Sequence, residues 1–487
     1  MSEVFQLRET HVPRGGNTHA LTPFFATPSN PDATRRLLLV FFYFAPSAEV
    51  GALRWLSLTR FGADRGWAFD VVTLQPEFMG TLDRSRLTRL PPGVRLFGFS
   101  GENPAWYRSM VKAWKRLRGG GTNSSATSGL AGHLDGSDLT MALASDDASP
   151  WRRAFRSHMH FRLADAFARR AATVAMELAQ SNQYAGVVSS GPPHAAHDAA
   201  RQISERTRLP FIMDMRDPWS DEIAMPEDLG SDAWRRAASV HEARCVSAAR
   251  LLVVTSESHR QLQIQKYPAL RERVLTVMNG ADPDPLPAAR PVTRFVIAFA
   301  GMIYLGRNPR TLFRAAARVA RETGASPDEF AVEFMGDDAC EGVPLTRIAA
   351  EEGLQRHFVA HGFRPRSEVL EFLAGAALLV SLPLRTSMTL PAKLFEYTRF
   401  DAWLLALAEP HSATETLLEG TDADVVAPDD VDAITRVIAK RFAEFRAGQR
   451  PMALNHDGRF DRSTQSARLF DALDGVLGAA APARAEV

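Results

Sequence analysis

The later part of the sequence contains a glycine-bearing turn of a type that can bind phosphate groups. The turn follows the apolar run 295–300, and its key residues are Gly301, Gly306, Arg307, Asn308 and Pro309. Asn308 suits a helix N-cap and Pro309 the first helical position, so the spacing predicts a helix over 310–321. The free amides and the positive end of the helix dipole would then face the strand end, beside the Arg307 guanidinium. This predicts a diphosphate cradle; the alternative is a tight turn with a solvated arginine.

A second segment combines a cation and a carboxylate on one helical turn. Pro391 follows an apolar run and marks a helix start, and Lys393 and Glu396, three residues apart, share one face of that helix. A lysine in the first turn opposes the helix dipole, a cost that a bound anion would offset. Glu396 could accept hydrogen bonds from ribose hydroxyls, as carboxylates do in dinucleotide-binding folds. The alternative is a surface ion pair of small energy.

The earlier part of the sequence contains titratable residues directly after two apolar runs. His194 and His197 follow the run 187–190, and the alternative to a functional role is a solvated surface histidine. Asp214, Arg216 and Asp217 lie where the run 211–214 ends. Either cleft chemistry or an internal ion-pair network could use these three side chains.

Strands and helices that would position these residues alternate along the whole chain. Buried strands are predicted at 37–44, 68–74, 187–190, 211–214, 251–255, 295–300, 331–335, 357–361 and 377–382. Helices are predicted near 52–64 and over 151–180. The spacing is that of right-handed βαβ units, so the sequence predicts an α/β fold with two doubly wound parallel sheets. Ligands of such sheets bind at the carboxyl ends of strands, which predicts a cleft between the two halves.

The composition along the chain predicts where these domains begin and end. Residues 1–34 are predicted to be a disordered extension, and 35–285 a first Rossmann-like domain with a flexible insertion at 119–149. The proline-rich piece 282–291 is the predicted linker to a second Rossmann-like domain, 292–455. A C-terminal helix, 456–477, is expected to pack back towards the first domain, and 478–487 to form a tail.

The overall composition excludes several classes of protein. The 487 residues contain 57 Lys and Arg against 56 Asp and Glu, so no global charge favours nucleic acid as a partner. The only cysteines, Cys245 and Cys340, lack the spacing of a disulfide framework or zinc site. Neither a signal peptide nor a run of about 18 apolar residues is found. A cytoplasmic location is expected, at most with contact to the inner face of the plasma membrane.

Five motifs, read in their order along the chain, resemble glycosyltransferase family 4, particularly its bacterial branch that builds exopolysaccharide and lipopolysaccharide. The motifs are Ser189 to Pro193, Asp214 to Trp219, Asn279 to Asp282, the turn 301–309 and Lys393 to Tyr397. The resemblance covers about 35–442, and five motifs in one order are more specific than any single one. It implies the GT-B fold, in which two Rossmann-like domains face a cleft.

The resemblance also implies an activity and a role for each candidate residue. The implied enzyme is a retaining, nucleotide-sugar-dependent glycosyltransferase of the hexosyltransferase type, with an acceptor domain first and a donor domain second. Charge develops on the departing diphosphate, which Arg307 and Lys393 would neutralise. The implied donor-binding residues are Gly301, Arg307, Asn308, Lys393 and Glu396; the catalytic candidates are His194 and Asp217; the acceptor or cleft residues are Gly51, Arg54, Asp214 and Arg216. Met388 stands where the family has the first of two glutamates.

The implied partners are a nucleotide diphosphate sugar and a glycan or polyprenyl-linked acceptor. No cofactor or metal is expected: Asp282 and Asp284 imitate a DxD motif but lie in the predicted linker, and Asp337 and Asp338 lack further ligands. The basic, aromatic segment 106–118 suits either a solvated face or an anionic membrane surface. Two other functions are open: a nucleotide-sugar epimerase of GT-B architecture, and a non-catalytic GT-B partner protein.

Overall fold

The computed structural model of the protein describes residues 21–117, 150–221, 231–282, 285–287, 292–303, 307–382 and 388–478. Its contacts divide the chain into two compact units. Unit 1 comprises Met1–Val254, Lys266–Leu275 and Ser466–Val487, and unit 2 comprises Thr255–Gln265 and Thr276–Gln465. Several predicted features lie outside the described residues: most of the extension, the insertion 119–149, nearly all of the tail, Gly306 and Asp284.

Unit 1 is built on an eight-stranded sheet of order β1-β4-β3-β2-β5-β6-β7-β8. Its strands are β1 Phe25–Ala26, β2 Arg35–Phe41, β3 Trp67–Leu74, β4 Val94–Phe99, β5 Gly186–Gly191, β6 Phe211–Met215, β7 Leu251–Val254 and β8 Val274–Thr276. From β4 to β7 neighbouring strands are parallel, and every residue of β3 is buried, as expected of a sheet covered on both faces.

The first strand corrects one expectation from the sequence. β1 pairs antiparallel with β4, Phe25 opposite Leu96, so the predicted disordered extension is structured in this part. A second difference concerns β2, which ends at Phe41 although the apolar run continues to Phe44. Phe42 and Phe44 are both buried in the turn that follows the strand, so burial and not strand structure explains their apolar character.

Helices cover both sheets, and their bounds follow in chain order. In unit 1 they are α1 Leu53–Asp64, α2 Ser85–Thr88, α3 Ala105–Leu117, α4 Pro150–Ser181, α5 Ala195–Thr207 and α6 Asp232–Ala248. There follow α7 Glu257–Lys266, α8 Arg310–Thr323, α9 Leu345–Glu351, α10 Arg366–Ala374, α11 Ala392–Tyr397, α12 Ala413–Leu418, α13 Val431–Arg446 and α14 Arg462–Leu477. None of the helices within the described ranges is long and apolar enough to cross a membrane.

Unit 2 is built on a six-stranded parallel sheet of order β13-β10-β9-β14-β15-β16. Its strands are β9 Phe295–Gly301, β10 Phe330–Gly336, β13 Phe358–Ala360, β14 Leu378–Ser381, β15 Trp403–Leu407 and β16 Asp424–Val426, and β11 Ala339–Cys340 and β12 Val343–Pro344 form a separate small ribbon. The predicted strands of this half are present, whereas the apolar strand β15 is absent from the predicted set. The structure confirms the predicted α/β fold with two parallel sheets.

The boundary between the units lies earlier in the chain than the predicted linker. The Ala281 amide donates to the Phe460 carbonyl at 2.8 Å, and the Met278 amide donates to the Gln465 side chain at 3.0 Å. Arg462 also bonds Asp282 at 2.6 Å. These bonds tie residues 278–282 into unit 2, although the sequence places them at the end of the first domain.

Helix α14 packs its second half against unit 1. The buried ring of Phe470 lies against Phe61 and Trp67, with ring centroids 6.0 and 6.2 Å away. A Cβ atom at Gly62 would come within 2.4 Å of this ring, so the glycine provides the space that the ring fills. Arg65 adds exposed ion pairs to Asp471 and Asp474.

Replacement of Phe470 by alanine is expected to destabilise unit 1 by about 3–5 kcal/mol, because it leaves a cavity in a packed aromatic contact. Urea unfolding followed by tryptophan fluorescence measures the change. Val240→Ala, at a side chain that is 48% exposed, is the matched control and is expected to stay within about 0.5 kcal/mol. Equal midpoints for the two variants would contradict the packing described here.

Candidate functional site

The carboxyl ends of β9 and β10 form an open backbone surface in unit 2. Gly301 and Gly336 lie opposite each other in register, with φ angles of 141° and 130°. Both angles are in the region that L side chains rarely adopt. A Cβ atom at Gly336 would come within 2.3 Å of the Gly301 carbonyl oxygen. The two glycines therefore allow a close approach that other residues would block.

The Lys393 ammonium occupies the space above Gly301. A Cβ atom at Gly301 would lie 0.9 Å from Lys393 Nζ, so the two positions can coexist only because residue 301 is glycine. The ammonium donates to the Ala300 carbonyl, and Nζ lies 5.3 Å from the centre of the Phe299 ring. Tyr397, one turn further along α11, holds the same strand end through the Ala300 amide at 2.9 Å. The helix that carries Lys393 is thus tied to the end of β9.

Arg307 lies close enough to Lys393 for its positive charge to repel the Lys393 ammonium. The Arg307 side chain is buried, and its Nη1 donates to the Met302 carbonyl at 2.8 Å. Burial, with the positive charge of Arg307 second, lowers the pKa of Lys393 to about 8; Glu396 and Asp337 oppose this shift. The structure therefore brings the two predicted cations near each other, and the protonated form of Lys393 is less stable there than it would be in water.

Helix α8 begins at Arg310, the first residue of the predicted range 310–321, but its N-cap differs from the predicted Asn308. Pro309 is the N-cap and Arg310 the first helical residue, and Pro309 has no side-chain oxygen to cap the helix. Asn308 lies just before the cap, where its Oδ1 accepts from the Arg310 amide at 3.0 Å. The asparagine bonds the helix start from outside the helix, two residues away, as Asx turns do.

Glu396 forms an ion pair with Arg366 at the start of α10, and Arg366 is half-exposed. The Met388 carbonyl accepts from the Ser256 hydroxyl at 2.6 Å, which fixes the backbone where the family pattern has a glutamate. Neither Arg366 nor Ser256 is among the predicted site residues. The sequence gives no signal for either, because each contact joins residues at least 30 positions apart.

Asp337 is a site residue that sequence reasoning considered only as a metal ligand. Its amide donates to the Gly301 carbonyl at 3.1 Å, and its Oδ2 accepts from the Ile303 amide at 2.6 Å. The residue therefore holds the first part of the turn that leads to Arg307. Its place directly after Gly336, at a strand end, is the signal that could have identified it.

In unit 1, Asp214 is the centre of a buried ion-pair network. Arg54 reaches both of its oxygens, at 3.1 and 3.0 Å, and Trp55 and Ser190 donate at 2.8 and 2.9 Å. Asp214 and Arg54 are only 1% and 7% exposed. Burial raises the pKa of Asp214, but Arg54 and the other donors outweigh it and lower the pKa overall. These contacts match the internal-network alternative left open by the sequence.

Arg216 ties together three loops at the carboxyl edge of this sheet. Its guanidinium donates to the carbonyls of Gly51 at 3.0 Å, Gly191 at 3.2 Å and Pro192. A Cβ atom at Gly51 would lie 2.6 Å from Arg216 Nη1, so the glycine makes room for the guanidinium. Gly51 and Arg216 are therefore brought together by the fold.

Asp217 and His194 are half-buried candidates in unit 1, as are Gly51 and Arg216. Burial, partly offset by Arg216, raises the pKa of Asp217, and none of the hydrogen bonds within the described part of the chain ends on its carboxylate. The half-buried ring of His194 stacks on Trp219, with centroids 4.8 Å apart and an angle of 11°. His197, in contrast, is fully buried against Ser189, and burial lowers its pKa to about 3. The structure therefore separates an accessible histidine from a neutral core histidine.

The described residues offer no cluster of three or more His, Cys, Asp or Glu side chains that could hold a metal ion. Asp282, one of the aspartates weighed as a metal ligand, accepts from Arg462 instead. The chemistry that the unit 2 arrangement supports is recognition of an anion by the Lys393 ammonium above Gly301, with the nearby charge of Arg307.

No family model matches the sequence, and the comparison with curated proteins finds no match. Solved structures with a similar fold include a glycosyltransferase from Rickettsia africae ESF-5 (11% identity, TM-score 0.55, 91% of this chain and 98% of that chain). They also include a sucrose-phosphate synthase from Thermosynechococcus elongatus (12%, 0.55, 91% and 99%) and a lipopolysaccharide outer core galactosyltransferase in its apo form (9%, 0.53, 90% and 99%). These likenesses establish the GT-B fold for the chain.

The buried ion pair in unit 1 predicts a large loss of stability for Asp214→Asn. The substitution leaves Arg54 buried without its counter-charge, which is expected to cost about 3–5 kcal/mol. Urea unfolding measures it, with Asp471→Asn as the control, since its exposed pair with Arg65 contributes about 1 kcal/mol or less. A loss for Asp214→Asn no larger than for the control would refute the structural role of the network.

The lowered pKa of Lys393 predicts a pH dependence for anion binding to unit 2. A bound anion favours the protonated lysine, so affinity should be full below the free-protein pKa of about 8 and fall above it, towards about tenfold per pH unit. Calorimetry with a nucleotide sugar from pH 7 to 9 measures the slope. Lys393→Gln should bind more weakly and show no such slope; a parent profile that is flat across this range would rule out the lysine as the ligand.

Proposed function

We propose that the protein is a glycosyltransferase that moves a hexose from a nucleotide diphosphate sugar onto a glycan or lipid-linked acceptor. The GT-B fold supports the proposal, because the similar solved structures include sugar-transferring enzymes by their own descriptions. Fold alone does not determine function. The proposal therefore rests on the site in unit 2.

The observation that carries the proposal is the Lys393 ammonium above Gly301, with Arg307 near enough for its positive charge to act on it. Burial and like charge lower the pKa of Lys393, so the free protein holds a cation in surroundings that disfavour it. An anion with several oxygens, such as a diphosphate, would relieve that cost and bond both cations at once. Perturbed cations at the carboxyl ends of parallel strands are typical of functional sites.

Such a site favours transfer because charge on the diphosphate rises as the bond to the sugar breaks. Fixed cations stabilise that developing charge more than they stabilise the intact donor, which lowers the barrier. Family 4, which the sequence resembles, retains the anomeric configuration, with the departing phosphate helping to deprotonate the acceptor hydroxyl. We propose the same course here, with Gly301 and Asn308 shaping the donor site and Glu396 accepting from the ribose. It requires no metal or cofactor.

In unit 1 we propose His194 and Asp217 as the residues that contact the reacting sugars. The raised pKa of Asp217 suits proton exchange, and the stacking of His194 on Trp219 fixes its ring. Arg54 and Asp214 act indirectly, since the bonds that Arg54 and Ser190 donate to Asp214 hold α1, β5 and β6 together. Gly51 and Arg216 likewise shape the loops of the acceptor domain.

The acceptor we propose is a growing bacterial surface polysaccharide or its polyprenyl-linked precursor. The lipopolysaccharide galactosyltransferase among the similar structures supports this class, as does the sequence resemblance. We propose a cytoplasmic location at the inner face of the plasma membrane, where such acceptors are built. Two free, buried cysteines suit a reducing compartment.

The proposal is tested by calorimetry of the full chain with UDP-, GDP- and dTDP-sugars in the presence of a chelator. At least one donor should bind, and Lys393→Ala should weaken it about 10- to 100-fold because one charged contact to the diphosphate is lost. Arg441→Ala, which removes an ion pair with Asp424 elsewhere in unit 2, is the control and should bind as the parent does. Binding by none of the donors would refute the proposal.

Turnover with and without acceptor distinguishes transfer from the other two functions. A transferase should consume the bound donor only when an acceptor glycan is supplied, as followed by chromatography of the sugar nucleotide. Conversion of the donor into an isomeric sugar nucleotide without acceptor would identify an epimerase. Donor binding without turnover across a panel of lipid-linked acceptors would favour a non-catalytic partner protein.

A further inference from the structure

We infer that Asp337 is a positioning residue for the anion site in unit 2. Its carboxylate and the Arg307 guanidinium bond one peptide group from opposite ends, and this arrangement keeps Arg307 in place. The inference rests on the proposed function, because it concerns a cation that would meet the diphosphate. Asp337 directly follows β10 and lies outside the five motifs that carry the sequence resemblance.

The peptide group between Met302 and Ile303 is bonded at its two ends by opposite charges. Its carbonyl oxygen accepts from Arg307 Nη1 at 2.8 Å, and its N–H donates to Asp337 Oδ2 at 2.6 Å. In a trans peptide the C=O and N–H bonds point in opposite directions, and the group has a dipole of about 3.5 D. The cation therefore faces the negative end of this dipole, and the carboxylate faces the positive end. Each charge strengthens the hydrogen bond that the other makes.

Asp337 bonds the turn on both sides of Met302. In addition to the carboxylate bond to Ile303, its backbone amide donates to the Gly301 carbonyl at 3.1 Å. The Met302 side chain is 53% exposed and adds little packing of its own. The bonds from Asp337 therefore fix the backbone at the residue whose carbonyl receives the Arg307 guanidinium.

A second contact from the same segment holds the main chain of Arg307. The buried Cys340 thiol, three residues after Asp337, donates to the Arg307 carbonyl at 3.4 Å. Arg307 is thus held through its main chain by Cys340 and through its side chain by the peptide group that Asp337 bonds. A guanidinium that is fixed before a ligand arrives loses less conformational freedom on binding, which favours affinity.

Asp337 also places a negative charge near Lys393. Burial and the charge of Arg307 lower the pKa of Lys393 to about 8, whereas Glu396 and Asp337 act in the opposite direction. Loss of the Asp337 charge should therefore lower the Lys393 pKa further. Because a bound anion favours the protonated lysine, the affinity would then begin to fall at a lower pH. A residue that only holds the backbone would leave that pH unchanged.

The test is calorimetry of the full chain with UDP, GDP and dTDP from pH 7 to 9, where the terminal phosphate, with a second pKa of about 6, is already ionised. Asp337→Ala removes both the acceptor and the charge, and should weaken each diphosphate that the parent binds by about 5- to 50-fold at pH 7. Asp337→Asn keeps an oxygen that can accept from the Ile303 amide, so its affinity at pH 7 should stay within about threefold of the parent. Its affinity should, however, begin to fall at a lower pH than that of the parent.

Asp338→Asn is the matched control, because it removes the same charge one residue further on, from an exposed side chain. This variant should keep both the affinity of the parent and its pH dependence. Urea unfolding of each variant, followed by tryptophan fluorescence, shows whether it remains folded. If Asp337→Ala does not fold, the pH dependence of Asp337→Asn decides alone.

Two results would overturn the inference: parent affinity in Asp337→Ala at every pH, or the parent's pH dependence in Asp337→Asn. Both differ from a failure of the proposed function. If the parent bound none of the three diphosphates, the proposed function would fail and this inference with it. Parent binding that Lys393→Ala weakens and Asp337→Ala does not would sink the inference alone.

Discussion

The Lys393 ammonium lies against the carboxyl end of β9, in the volume that a side chain at position 301 would need, and unit 2 is arranged around this contact. Gly301 leaves the space, Tyr397 ties α11 to the Ala300 amide, and Asp337 holds the turn that leads to Arg307. Burial and the charge of Arg307 then lower the lysine pKa to about 8. Packing thus keeps the Lys393 ammonium in surroundings that disfavour its protonated form. An anion bound beside it would remove that cost.

Unit 1 uses buried charge in a different way. Asp214 accepts four hydrogen bonds from side chains of α1 and β5, and Arg216 donates to three backbone carbonyls. Groups of the protein itself bond the charges of Asp214 and Arg216, so these two residues stabilise the positions of loops. Farther along the loop after β6, Lys266 and Glu242 hold Ser220, next to Trp219, on which His194 stacks. A chain of structural contacts therefore orients the accessible histidine.

Residues with similar sequence signals consequently have different places in the structure. Arg307 and Arg216 both follow buried strands. Arg307 donates to the Met302 carbonyl and its charge acts on Lys393, whereas Arg216 donates to three backbone carbonyls that join loops. His194 and His197 are three residues apart, and only His194 retains accessible surface. These outcomes depend on which elements pack beside each residue, so they could not be read from residue type or spacing.

Local patterns in the sequence determined the fold class, most strand positions, the turn at Gly301 and the helix that carries Lys393, because apolar runs, glycines and prolines act through nearby backbone geometry. Only the tertiary structure decided the placement of the Lys393 ammonium above Gly301, the pairing of Glu396 with Arg366 and the saturation of Asp214. These contacts join residues 24 to 160 positions apart, and burial sets the strength of every charge involved. The separation of two residues along the chain predicts neither whether they touch in the fold nor how deeply their charges are buried.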